Sequence, residues 1–176
     1  MALIRLLERV GGDIELRVLQ YGTTRETFRQ TCADPSGRDV VHVSGHGEAA
    51  GIILETPYSE PDPVSVADLL GLMLPLRDAV TLVTLSSCES AAVAGDAGLA
   101  RDVARRLDCS VMAMRFPVGD EFAADLVLGV YDGMIRGRRE LPVALGATLE
   151  LLGEQLARSP SSRSAHPPSS AAGPPP

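Results

Sequence analysis

Val40–Glu55 reads VVHVSGHGEAAGIILE, and Val80–Ser90 reads VTLVTLSSCES. Each stretch opens with apolar, largely β-branched residues and then turns abruptly to small and polar ones. Val40–Ser44 alternates, which sets Val41 and Val43 on one face of a strand and His42 and Ser44 on the other. Val80–Ser86 is nearly continuous, as in a strand covered on both faces, and belongs at the centre of a sheet. The first strand delivers Ser44-Gly45-His46-Gly47 and the second Ser87-Cys88-Glu89-Ser90. In open parallel sheets reactive groups gather outside the carboxyl ends of the strands, where the loops converge. A histidine and a thiol far apart in sequence meet there when their strands are close. A thiol at a strand end, facing an imidazole and a helix amino end, has a lowered pKa and serves as a nucleophile. Glycine on both sides of His46 lets the backbone approach a ligand. The amides of Gly47 and Cys88 are candidate donors to the oxyanion of a tetrahedral intermediate.

Outward from these two strands the pattern repeats. LIRLLERV has helical spacing, GGD breaks it, and IELRVLQY alternates like a strand with Glu15 and Arg17 on one side. TTRETFRQTCA predicts a helix with a capping box formed by Thr23 and Glu26. GIILE reads as a short strand and VSVADLLGLM as a helix opened by Ser65. GLARDVARRLD reads as an amphipathic helix and SVMAMRF as a buried strand. DEFAADLVLGVYDGMIRG reads as a helix starting near Asp120 with Gly137 past its end, and PVALGATLELLGEQLAR as a last helix begun by Pro142. Strands alternating with helices predict an α/β fold, a mostly parallel sheet with helices on both faces. The expected organisation is one domain over residues 1–157 and a disordered Ser/Pro-rich tail or linker over 158–176.

Composition narrows the chemistry. A net charge of −7 disfavours nucleic acid and anionic membrane as partners, since both reward clustered positive charge. The start of the chain lacks a long apolar core with a cleavage site, and no stretch reaches the roughly 20 apolar residues of a membrane span. The expectation is a soluble, cytoplasmic protein. Cys32, Cys88 and Cys109 are too few and too scattered for a disulfide framework or a CxxC zinc site, so no metal and no cofactor is expected. There is no lysine and no asparagine, which excludes a P-loop lysine, a Schiff-base lysine and a Cys/His/Asn arrangement.

VVHVSGHGEAAGIIL, then VTLVTLSSCESA, then SVMAMRFPVGDEFAADLVLGVYDGMIRG together resemble the CHAT domain, a caspase-like branch of the cysteine peptidases that includes separases and metacaspases. The resemblance covers residues 1–157. It implies a caspase-like sheet in which His46 is the catalytic histidine, Cys88 the nucleophile and Gly47 an oxyanion amide. It also implies that Asp120, in PVGD, lies near the pocket for the residue before the cut, where an acid would suit arginine or lysine. Relatives carry a strand before the first helix. Met1-Ala2-Leu3 leaves no room for one, so the first strand is expected to be missing.

These residues also have plainer readings. An acid at a helix start is stabilised by the backbone amides there, so Asp120 reads equally well as a cap. His42 reads as a packed residue beneath the site, and Cys32 and Cys109 as small core residues. The function expected from the resemblance is a cysteine endopeptidase, a hydrolase that cleaves a partner protein through a Cys/His dyad. The alternative is a non-catalytic or truncated CHAT-domain module that binds a protein or peptide. Family members are joined to repeat or sensor domains, so a fused or associated domain of that kind is the other expected partner.

Overall fold

The computed structural model describes residues 2–10, 14–34, 36–44, 47–48, 51–86, 98–114 and 118–158. The chain divides into two compact units, residues 12–123 and residues 1–11 with 124–176.

The larger unit is built on a parallel sheet of β1 (Val40–Ser44), β5 (Leu82–Ser86) and β6 (Ser110–Ala113), in the order β1-β5-β6. The β-branched run is the central strand, as its continuous apolar pattern predicts, and four of its five residues are buried. A second, antiparallel sheet follows β1 directly in the chain: β2 (Gly47–Glu48), β3 (Gly51–Glu55) and β4 (Pro61–Ser65), in that order. Alternation sends Val41 and Val43 of β1, Val83 and Leu85 of β5, and Val111 and Ala113 of β6 to one face of the parallel sheet. There they join a core made by helix α2 (Arg25–Cys32), helix α3 (Val66–Met73) and helix α4 (Leu99–Leu107) with β3 and β4. Leu69, Met73, Val83, Val103 and Leu107 are completely buried in it. His42, Thr84 and Met112 share a row across the opposite face, in register with one another.

Arg25 fastens the amino end of α2 to the antiparallel sheet. Its guanidinium makes paired hydrogen bonds to Asp62 at 2.8 and 3.0 Å, another to the Pro63 carbonyl at 2.6 Å, and one to Asp68 at 3.2 Å. Two-pronged contact of this kind fixes direction as well as distance. Ser65 caps α3 by accepting from the Asp68 amide. Gly51 begins β3 so close to β4 that a β-carbon there would overlap the Val64 carbonyl.

The second unit contains helix α1 (Ala2–Val10), most of helix α5 (Asp120–Ile135) and helix α6 (Leu141–Arg158). A β-carbon on Gly129 of α5 would collide with Thr148 of α6, and one on Gly133 would press on Ala144 at 3.1 Å. Small residues four apart thus bring these two helices into near-backbone contact.

Two sequence expectations need correction. Ile14–Gln20 is described but forms no strand: it alternates correctly yet has no ladder partner, and alternation does not provide one. The cap of α2 is Thr24, which accepts from the Thr27 amide, while Thr23 donates to the Gln20 carbonyl. Glu26 is held by Arg29 and Gln30 instead of closing a capping box. The strand β4 carries no clear sequence signal, since Pro61 and Pro63 weigh against a strand. Two residues apart, both prolines direct their missing N–H the same way, and β4 is an edge strand, so no pairing to β3 is lost.

Candidate active site

The candidate site begins at the carboxyl edge of the parallel sheet. β1 and β5 are adjacent and parallel, with Val40 opposite Leu82, His42 opposite Thr84 and Ser44 opposite Ser86. Both strands therefore end side by side. The offset that makes Ser44 the partner of Ser86 is, in sequence, the offset between His46 and Cys88. His46 and Cys88 themselves lie outside the described residues, as do residues 87–97. Gly47 is described in its backbone: it opens β2 in register with Ile52, so the chain enters an antiparallel ladder one residue after His46.

Asp120 is exposed and is the first residue of α5. The Ala123 amide donates to the Gly119 carbonyl at 3.0 Å, which sets Asp120 in the first turn, where the helix amides favour an acid. It follows β6, whose carboxyl end points the same way as those of β1 and β5, since all three run parallel. The helix-start reading of Asp120 is thus realised; its distance to the residues after β1 and β5 lies outside the described residues.

His42 lies in β1, partly buried above Thr84, which is 1% exposed. Burial pushes its imidazole down to about 4, so it is neutral near pH 7. Neither described thiol is a competitor for nucleophile. Burial raises Cys32 to about 11 against an opposing pull from Arg38, and burial followed by the nearby Asp108 carboxylate raises Cys109. Both remain protonated near neutral pH.

Sequence reasoning did not single out Ser86. Its hydroxyl oxygen is buried and has no hydrogen-bond partner among the described residues. Orphaned polar atoms are rare in interiors, and this one sits two residues before Cys88. A signal was available, because β1 and β5 carry the same pattern: apolar residues around a polar one, then serine, then a small residue, then His46 or Cys88.

The α/β unit, with β1 and β5 parallel and ending side by side, is consistent with a caspase-like fold. The family model for the CHAT domain matches residues 4–163, and the chain belongs to the CHAT domain family. No curated protein matches the chain. Among the described residues no helix is long and apolar enough to cross a membrane. Residues 159–176, nearly all of the expected tail, lie outside the described residues.

Proposed function

We propose that this chain is a cysteine endopeptidase that cleaves a partner protein through His46 and Cys88. The reading is carried by the register of β1 against β5: two parallel neighbours end together, and the same offset in sequence leads to a histidine on one and a cysteine on the other. Membership of a caspase-like family supports it. So does the protonated state of Cys32 and Cys109, which removes two of the three thiols as nucleophiles.

In this mechanism the Cys88 thiolate attacks the peptide carbonyl carbon, and the backbone amides of Gly47 and Cys88 donate to the resulting oxyanion. The protonated His46 imidazole gives its proton to the amine as the C–N bond breaks. It then takes a proton from water as the hydroxide adds to the thioester, and the thiolate leaves with the acid product free. Asp120 serves a basic residue before the cut, by charge. The chemistry calls for no metal.

A peptide library displayed with every residue type before the cut tests the reading. Cleavage after arginine or lysine is expected, with loss of at least about a thousandfold in both Cys88→Ala and His46→Ala, the usual scale for a removed nucleophile or base. Asp120→Asn is expected to weaken the preference for basic residues while sparing cleavage itself. Cleavage that persists in Cys88→Ala overturns the assignment. An inactive native chain that still binds the peptides would make it an interaction module instead.

A further inference from the structure

We propose that the outer edge of β1 is a docking site for an extended segment of a partner protein, an acidic residue followed by alternating apolar residues, which joins the sheet as an additional parallel strand. This site is separate from the peptidase reading and does not rest on it.

Three observations converge on that edge. First, β1 pairs with β5 on one side and has no described strand on the other. Its end residues are exposed, Val40 to 44%, whereas β5 beside it is sealed. Second, a cavity of about 260 Å³ runs along this flank, lined by all five residues of β1. Its inner wall is apolar, with Phe28, Ile52, Leu54 and Leu76, and Leu19 borders it from the non-strand segment Ile14–Gln20. A water occupies about 30 Å³ of liquid, so the space is far larger than a packing defect, with an apolar inner wall and polar residues, Arg17, Arg38 and Glu55 among them, on its border. Alternate apolar side chains of an added strand would fill it.

Third, the end of the cavity nearest Val40 holds two guanidiniums with one carboxylate between them, although Arg38 also donates to the Ser36 hydroxyl at 2.7 Å and to the Gly37 carbonyl. Arg38, which precedes β1, has its Nε–H buried without an acceptor among the described residues. Arg17 and Arg38 both line the cavity and share one carboxylate, Asp34, at 2.9 and 2.8 Å. Glu15 is 4.0 Å from Arg38 and 78% exposed, too screened to neutralise it. Glu55 borders the cavity and forms no ion pair with either arginine among the described residues. Two guanidiniums on one paired carboxylate call for a second carboxylate at the amino end of β1. The neighbours in this sheet all run parallel, so an added strand in the same sense puts its amino-terminal residue there. Antiparallel pairing of β1 with a second copy of itself, centred on His42, would set Ser44 against Val40, and β1 itself carries no carboxylate to offer Arg38, which favours a partner of different sequence.

The test uses the full chain carrying Cys88→Ala, so that no peptide is consumed and the outcome is independent of the peptidase reading. The probe is a terminally blocked hexapeptide with aspartate first and then alternating valine and threonine. Saturable binding by calorimetry is expected, with slowed amide exchange across Val40–Ser44. An added strand pairs along one side only, so N-methylating one alternate set of peptide amides abolishes binding and methylating the other set spares it. Replacing the aspartate by asparagine weakens binding about tenfold, and in Arg38→Gln that difference disappears. The proposal is overturned by no binding at millimolar peptide, or by indifference to which amides are methylated. It is also overturned if the peptide-free chain is dimeric with β1 already protected, which would assign the edge to a second copy.

Discussion

β1 and β5 lie side by side, run the same way and carry nearly the same pattern, yet one is open and the other sealed. β5 has neighbours on both sides and a core on its face, and Val83 and Leu85 are buried to 1% or less. β1 sends Val41 and Val43 to the same core but has no described strand on its other flank, and all its residues retain some exposure. Position in the ladder, and not residue type, makes this difference, since valine and leucine serve both strands. The strand leading to Cys88 is paired on both sides and buried, while the strand leading to His46 is paired, among the described residues, on one side and runs on into the antiparallel sheet.

The comparison can be broken by substitution. Leu85→Ala is expected to destabilise the fold by about 3 kcal/mol, the usual scale for emptying a fully packed leucine site, read from denaturant midpoints at constant slope. Equal losses for Leu85→Ala and Val43→Ala would contradict the difference between the strands.

Acid sharpens it next. His42 falls from an ordinary 6.5 to about 4 on folding because burial penalises the charged imidazole. The unfolded chain then binds the extra proton between those values, so this contribution is complete above pH 6.5 and lost as pH falls toward 4. Its ceiling is about 3 kcal/mol at 1.36 kcal/mol per pKa unit. The pH profile of the native chain minus that of His42→Gln isolates it from the carboxylates. A flat difference would show that β1 leaves His42 in water.

Gly51→Ala is expected to cost about 2 kcal/mol, since its β-carbon must push the Val64 carbonyl and strain the start of β3. The loss should appear without any change in sheet content by circular dichroism if the parallel sheet is independent of this contact. Smallest is Val43→Ala, about 1 kcal/mol for a partly buried side chain that loses roughly two methyl groups without a sealed cavity.

Much of this was legible in the sequence, for physical reasons that can be named. The run Val80–Ser86 announced a central strand because continuous β-branched residues need cover on both faces. The capping serine at 65 worked because its chemistry is local. His46, Cys88 and Gly47 were legible as candidates because reactive groups collect where parallel strands end; the structure shows β1 and β5 ending side by side, while His46 and Cys88 lie outside the described residues. What escaped depends on partners that no local pattern contains. Ile14–Gln20 alternates like a strand but pairs with nothing described. Pro61 and Pro63 hid β4, because tolerance of proline depends on which edge faces out. The buried Ser86 hydroxyl, the unsatisfied Arg38 Nε–H and the cavity beside β1 are properties of packing, where sequence distance carries no information.

The central claim is that β1 and β5 end in one assembled Cys/His site, and labelling of the three thiols tests it most directly. The native chain, Cys88→Ala and His46→Ala would each be treated near pH 7 with an electrophile that alkylates a caspase-type thiolate, and the label located by peptide mass spectrometry. The account predicts fast labelling of Cys88 that collapses in His46→Ala, against slow labelling of Cys32 and Cys109, whose burial keeps them protonated. Labelling of Cys88 at the rate of Cys109, or unaffected by loss of His46, would contradict it.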